Sequence, residues 1–331
     1  MLGITMGVVA LGFIFISPAY AVPISPDKYY LDVSYGMELD NMLLIMGREE
    51  LAGAITLYLT PVGMKKYGEE HEREFYIADP ENPAEPANWV TLSATSIEIG
   101  SGQEVRVPWT MTPSKYVGCG TNLAAIMVSD TPTVDSAEDG IVTVRREIIS
   151  QIHLNVLATD QGACLDNKVD LNLREFFVDK KIPVFNYDDI PFVTRIENEG
   201  NLISRSPQGF IDILGFGDKI TVPFNEEKLD IYPQTVRKFD NMWTDSEYPD
   251  NGNFGDKLLY EISHLRIGRY EARFGVTKNA DPAIVSSAYF WVIPWRVLLV
   301  VGGVIVVFVT YKLAKRKKSR RKEKDADVER H

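Results

Sequence analysis

Basic charge, long apolar runs and reactive side chains are all scarce in this chain, and each shortage excludes something. The 331 residues hold 35 Lys/Arg against 46 Asp/Glu, a net charge of −11. Ten of those Lys/Arg, with only four Asp/Glu, lie in residues 312–331, so the rest of the chain carries −17. An acidic bulk argues against nucleic-acid binding, which needs a basic face to displace counterions. Only two long apolar stretches occur, one at each end, which excludes a polytopic membrane protein. The apolar fraction of 45% is that of a globular protein and excludes a mostly disordered chain.

Catalytic signatures are missing too. The four histidines are His71, His153, His264 and His331. His71 sits in Glu69-Glu70-His71-Glu72-Arg73-Glu74 with no second His four residues on, so it forms no zincin helix. His153 falls on the polar side of an alternating run, His264 lies near a turn, and His331 ends the sequence. No Gly-x-Ser-x-Gly elbow, P-loop or helix-opening GxGxxG occurs. Oxygen donors cluster at Asp130 to Gly140 and at Asp245 to Asp256, but neither segment fits the calcium-loop spacing, and Asp, Asn and Gly are ordinary turn formers. The expectation is a chain with no catalytic, cofactor or metal site.

The two ends imply a topology. Residues 2–16 are apolar, Ser17-Pro18 interrupts them, and Ala19-Tyr20-Ala21 supplies small residues for a cleavage site. Residues 1–21 therefore read as a signal peptide, although no Lys or Arg precedes the apolar run. Near the other end, residues 293–313 read as a transmembrane helix, with Trp291 and Trp295 at the position of an interfacial aromatic belt. Residues 314–331 form a basic tail. Lys315, Arg316, Lys317, Lys318, Arg320 and Arg321 anchor it on the cytoplasmic side by the positive-inside rule. The part outside the membrane contains no Asn-x-Ser/Thr sequon, which favours a bacterial source.

Between the ends, alternation of period two recurs. Ile55, Leu57 and Leu59 alternate with polar neighbours, as do Val105, Val107, Trp109 and Met111, then Ile152, Leu154 and Val156. Val169, Leu171 and Leu173 repeat the pattern, as do Tyr270, Ala272, Phe274 and Val276. No soluble segment sustains a 3.6-residue period. Short strands with frequent turns predict an all-β protein of two tandem Ig-like β-sandwiches, residues 22–160 and 169–290. The polar stretch 160–168 separates them. Residues 63–88 read as an exposed insertion, with Phe75-Tyr76-Ile77 as a short edge strand. Trp89, Trp109 and Trp243 read as core or corner aromatics. Gly268-Arg269-Tyr270 resembles a tyrosine corner.

Cys119 and Cys164 are the only thiols, and both fall on the exported side, where disulfides persist. If the strand at 122–129 and the strand at 142–158 form a hairpin, Cys119 lies beside the end of the second strand and a bridge to Cys164 becomes feasible. Two unpaired buried thiols are the alternative, since a Cα separation beyond about 7 Å forbids the bond.

Several motifs resemble a bacterial family. Asn88-Trp89-Val90-Thr91-Leu92-Ser93, Ile97-Glu98-Ile99 and Gly102 through Trp109 resemble the conserved-core pattern of the WxL-interacting surface proteins. Pro113 to Gly118 leading into Leu123 to Val128 is similar to that family's Gly-x-Tyr-x-Gly-x-Ile segment, here interrupted by Cys119. Arg195 to Asn201 resembles its R-x-E-N-x-G-N hairpin. The resemblance implies exported Ig-like sandwiches, with peptidoglycan binding linked to the first and partner proteins to the second. The combined expectation is a non-enzymatic, single-pass cell-surface protein for adhesion or scaffolding, bound to cell-envelope proteins or peptidoglycan. An envelope assembly chaperone acting by strand-edge addition is the alternative.

Overall fold

A computed structural model describes residues 22–328, apart from 50, 52, 133–146, 180–183, 186–188, 216, 246 and 279–283. The expected signal peptide, His331 and most of the acidic segment 130–140 lie outside the described residues. The chain is all-β with one long apolar helix near its C-terminus, as the alternation predicts. It divides into two compact units, Met1–Lys65 with Glu74–Cys164, and Lys66–Arg73 with Leu165–His331.

The first unit contains β1 (Ile24–Ser25), β2 (Lys28–Ser34), β3 (Leu39–Met46), most of β4 (Ile55–Tyr67) and β5 (Glu72–Tyr76), whose adjoining ends fall in the second unit, then β6 (Val90–Leu92), β7 (Ser96–Ile99), β8 (Glu104–Met111), β9 (Gly120–Ser129), β10 (Glu147–Thr159) and β11 (Gly162–Ala163). One sheet runs β1-β3-β8-β6. The other runs β11-β10-β9-β4-β5, with β7 on β4 and β2 on β10. Both inner faces are built from the alternating residues. Leu57, Leu59, Val107, Trp109, Met111, Ile152, Leu154 and Val156 meet in one buried core. Trp109 packs edge-on against Tyr29, centroids 4.9 Å apart. Fully burying a side chain such as Leu43 or Ile126 stabilises by about 1.5–3 kcal/mol, which is why one face of each strand is so consistently apolar.

Half of the expected insertion is a hairpin, because β4 continues to Tyr67 before β5 returns. Gly63 is required there: a Cβ on it would stand 2.2 Å from the Tyr76 ring. The remainder is stitched rather than loose. Asp79 and Asn82 accept from the backbone of Glu81 and Ala84, and the Asn88 amide donates to the carbonyls of Asp79 and Asn82. The Trp89 indole donates to Pro83 O at 2.9 Å, so a buried aromatic ties this loop to the core. Cys119 and Cys164 are joined by a disulfide, Cα atoms 5.7 Å apart, within this unit.

The second unit contains β12 (Leu171–Val178), β13 (Val184–Phe185), β14 (Ile190–Asn198), β15 (Gln208–Gly215), β16 (Asp218–Phe224), β17 (Thr235–Trp243), α1 (Phe254–Ser263), β18 (Gly268–Lys278), β19 (Ile284–Val292) and α2 (Trp295–Val328). Its sheets run β12-β14-β17 and β13-β19-β18-β15-β16. Tyr270, Ala272, Phe274 and Val276 are all fully buried in the core between them. Tyr270 stacks on Phe290, centroids 5.7 Å apart, and Trp243 packs against both.

The absence of any helical period in the soluble part is corrected by α1. Its ten residues are too few to sustain a visible repeat, and its start is set locally. Asn253 accepts from the backbone of Gly255 and Asp256 while the Asp256 side chain accepts from Asn253 N, a reciprocal capping box. That arrangement uses two of the residues weighed above as calcium donors. Asp245 is also committed elsewhere, accepting from Tyr260 Oη at 2.5 Å and Arg266 Nη1 at 2.6 Å. Burial raises the Asp245 carboxyl, but these donors outweigh it and hold the group below its usual range. The long helix starts at Trp295 and runs through Val328, beyond the expected 293–313. Its stretch Trp295–Lys317 is the one helix among the described residues long and apolar enough to cross a membrane.

Candidate functional site

Strand edges are the feature of this fold with unused hydrogen-bonding capacity, and most of them are blunted. A bare edge invites pairing with another chain, and natural sheets guard against it with short strands, charges, prolines and bulges. Strands β1, β11 and β13 have two residues each, and β6 has three. Edge β5 begins Glu72-Arg73-Glu74. Strand β12 carries Arg174 and Glu175 at a register shift, and each is ion-paired, with Glu197 and Arg195 respectively. Strand β16 contains Pro223, and β17 presents Lys238 and Asp240, paired at 2.9 Å.

The N-terminal end of β10 differs. On one side β10 pairs with β9 antiparallel from Glu147↔Ser129 to Val156↔Gly120. On the other side β2 pairs in parallel only from Gln151↔Lys28 onward. Among the described residues, no strand pairs with 147–150 on that side. Two contacts mark where the pairing stops: Gln151 N donates to Asp27 O at 2.8 Å, and Ser150 Oγ donates to Pro26 O at 2.7 Å. The open stretch reads Glu-Ile-Ile-Ser. Ile148 packs at the border of the main core, and Ile149 packs with Val62, Ala125 and Met127 on the opposite face. This edge is apolar on both faces, with Glu147 as its one charged residue.

Further along the same strand the sequence reading needs correction. His153 sits on the polar side of the alternation, yet it is fully buried, with its ring 4.8 Å from that of Tyr30. Asn155 beside it donates to Asp32 Oδ1 and accepts from Thr121 Oγ1. Both faces of β10 are therefore buried, and the residues Ser150, Gln151, His153 and Asn155 look solvated only by composition. Among the described residues, the end at 147–150 is the part of β10 with no strand partner on that side.

The other sequence-derived residues are dispersed. Trp291 lies on β19 and Trp295 opens α2, 48% and 42% exposed. Lys315, Arg316 and Lys317 are exposed on α2, and Lys318, Arg320 and Arg321 fall on the same helix. Trp89, Trp109 and Trp243 are buried. His264 stacks on Tyr260 at 4.3 Å. Among the described residues no group of three or more His, Cys, Asp or Glu is placed to hold a metal ion.

His71 is the titratable group that sequence reasoning passed over, because six consecutive charged or polar residues look like a solvated turn. It is 4% exposed within the second unit. Burial first, then the neighbouring cations Arg237 and Lys66, lower its pKa to about 3. The same turn holds Glu69 against Arg195 at 2.7 Å, and the Glu69 carbonyl accepts from Lys238 N at 2.9 Å.

No family model matches the sequence, so the resemblance to WxL-interacting proteins is neither supported nor opposed there. No curated protein is significantly similar to it. Solved structures are similar in fold. The Pseudomonas aeruginosa CupB2 chaperone is 6% identical, covering 80% of this chain and 98% of its own, with a TM-score of 0.34. The CsuC–CsuE chaperone–tip adhesion subunit complex of Acinetobacter baumannii gives 8%, 81%, 98% and 0.35. The E. coli chaperone DraB gives 8%, 82%, 97% and 0.34. Two of these are described as chaperones and the third as a chaperone–subunit complex, and the expectation of an adhesion or scaffolding protein is withdrawn. At such identities the likeness is one of fold, and no residue's role is carried across.

Proposed function

We propose that this chain is an assembly chaperone of the cell envelope, holding incompletely folded β-rich partner proteins by strand addition along the open edge of β10. The observation that supports this reading is the contrast among edges. Other edge strands are short, charged, kinked or proline-bearing, whereas residues 147–150 carry Ile148 and Ile149 on opposite faces and, among the described residues, pair with a strand on one side only. An incoming strand would gain backbone hydrogen bonds from this edge and shelter its own apolar side chains beside Ile148 and Ile149. Such a site is non-catalytic, and its clients are proteins that lack a strand of their own.

The apolar helix and the basic residues after it support a localisation. A membrane span at α2, with both sandwiches exported and the basic tail in the cytoplasm, would keep the edge next to emerging clients. Protease added to intact cells should then remove the sandwiches and leave a tag after His331 intact.

Function is tested by offering the purified full chain, in detergent, unfolded envelope proteins and intact sacculi in parallel. The expected result is capture of unfolded protein, lost in Ile149→Pro, whose N–H lies on the open side, with no retention on sacculi. Retention on sacculi without capture of unfolded protein would overturn the reading.

A further inference from the structure

Helix α1 turns its apolar side outward. At 100° per residue, Phe254, Leu258, Ile262 and Leu259 cover an arc of about 140° with only Gly255 among them. Phe254, Leu259 and Ile262 are 48%, 67% and 55% exposed. Polar and aromatic residues occupy the inward side instead. Tyr260 and Glu261 are buried, Tyr260 donates to Asp245, and Lys257 lies 5.4 Å from the Tyr248 ring centroid. This is the reverse of a helix on a water-facing surface, which hides its apolar stripe. Leu265 and Ile267, just past the helix, extend the exposed patch.

The helix is also pinned to the start of α2. Glu261, fully buried, accepts from Arg296 Nη1 at 2.7 Å and from the backbone N–H groups of Arg296 and Val297 at 3.1 and 3.2 Å. Its carboxylate thus satisfies two free donors of the first turn of α2, where negative charge is favoured. Phe254 meets Trp295 edge-on, centroids 6.2 Å apart. The outward apolar arc of α1 is therefore held at the mouth of the one helix apolar enough to cross a membrane, continuous with exposed Leu298 and Leu299.

We infer that α1 is an interfacial helix: its Phe254–Leu258–Leu259–Ile262 face lies in the headgroup region of the outer leaflet beside α2. The occupant of this face is lipid. The inference rests on α2 spanning a bilayer. Burying this arc in the interface supplies the apolar environment it lacks in water, and the Glu261–Arg296 clamp fixes the height of the second unit above the membrane.

The chain's two cysteines are both bridged, so an introduced thiol is the one that reacts. Leu259→Cys and Val304→Cys, each in the full chain carrying an environment-sensitive fluorophore, are reconstituted in phosphatidylcholine–phosphatidylglycerol vesicles. Glu104→Cys, on an exposed residue of β8, is the control. The label at 259 should be quenched about twofold or more by lipids spin-labelled near the headgroup. The label at 304 should respond to lipids labelled at the acyl terminus, and the control to neither. A label at 304 that ignores acyl-terminal quencher means α2 does not span, and the inference falls with it. A label at 304 that is quenched while 259 is not overturns the interfacial helix alone. Shielding of 259 by self-association, without lipid quenching, overturns it in favour of a second copy. Leu259→Glu with Ile262→Glu should abolish quenching of a label at Phe254→Cys while leaving that at 304 unchanged.

Discussion

The Arg237 guanidinium donates to Nδ1 of the His71 imidazole at 3.0 Å. Arginine has no acceptor, so Nδ1 must carry a lone pair and the ring proton sits on Nε2. Nε2–H then donates to Thr235 Oγ1 at 3.0 Å, and that hydroxyl donates to the Tyr232 carbonyl at 2.8 Å. Arg237 meanwhile donates to the Asp230 carbonyl at 2.9 Å. Every group in this relay has one consistent direction, and it requires a neutral His71.

Acid should therefore loosen this part of the second unit. The folded pKa of His71 is about 3, below the 6.5 of the free side chain. Between those values the unfolded chain takes up a proton that the native state refuses. The stabilisation is complete above pH 6.5 and is lost as pH falls towards 3. At pH 5 the loss is about 2 kcal/mol. Hydrogen exchange at the Lys238 amide, which donates to Glu69 O, should quicken from pH 7 to pH 5 beyond its intrinsic pH dependence. His71→Gln should flatten that change, and an unchanged acid response in the variant would exclude His71 as its source.

Client binding should be visible at the β10 edge. Ile149→Pro removes a backbone donor on the open side of β10, the side to which Gln151 N points, and Ile149→Lys places a charge on an apolar face, so each should weaken capture of unfolded protein by about tenfold or more. The amides of Glu147 and Ile149, which face the open side, should become protected in the client complex, while those of β12 should not. Equal protection of both edges would contradict a single addition site.

Most of the core was legible from the sequence, since a strand with one buried face must alternate. Leu57 and Leu59, Val107 to Met111, and Tyr270 to Val276 all fall in the cores their alternation assigns. What escaped was contact made at long range. His153 and Asn155 are polar and alternate correctly, but Tyr30, Asp32 and Thr121 cover them. His71 sits among charges that are ordinarily solvated, and its burial depends on residues more than 160 positions away. The open edge of β10 is invisible for a related reason. Nothing in Glu-Ile-Ile-Ser states that β2 begins its pairing only at Gln151. Helix α1 escaped because its ten residues are too few to sustain a clear repeat, and its start is set by the local capping box at Asn253.

The bridge between Cys119 and Cys164 spans 45 residues of chain. On the loop-entropy account, closing such a loop in the unfolded state stabilises by roughly 4 kcal/mol. Replacing both cysteines with serine should lower the melting temperature of the first unit by on the order of 10 °C. The second unit, which contains neither cysteine, should melt unchanged. Calorimetry of this variant beside the unaltered chain checks this, and a shift confined to the second unit would refute it.

Gly209 should tolerate no side chain. A Cβ there would stand 2.0 Å from Gly275 O and 2.9 Å from Val276 Cα. Both neighbours are backbone of β18, which pairs with β15 across this position and, on its other side, with β19. A flexible side chain could swing aside, but a strand held in two ladders cannot. Gly209→Ala should therefore cost about 2–4 kcal/mol through lost ladder bonds and a shifted Phe274. Gly217→Ala, in the β15–β16 turn at φ +88° with open space around it, meets no atom and carries only the conformational penalty, about 1 kcal/mol. Urea unfolding of the two variants should rank them in that order. The reverse ranking would mean that β15 can move away from β18 without disturbing the core.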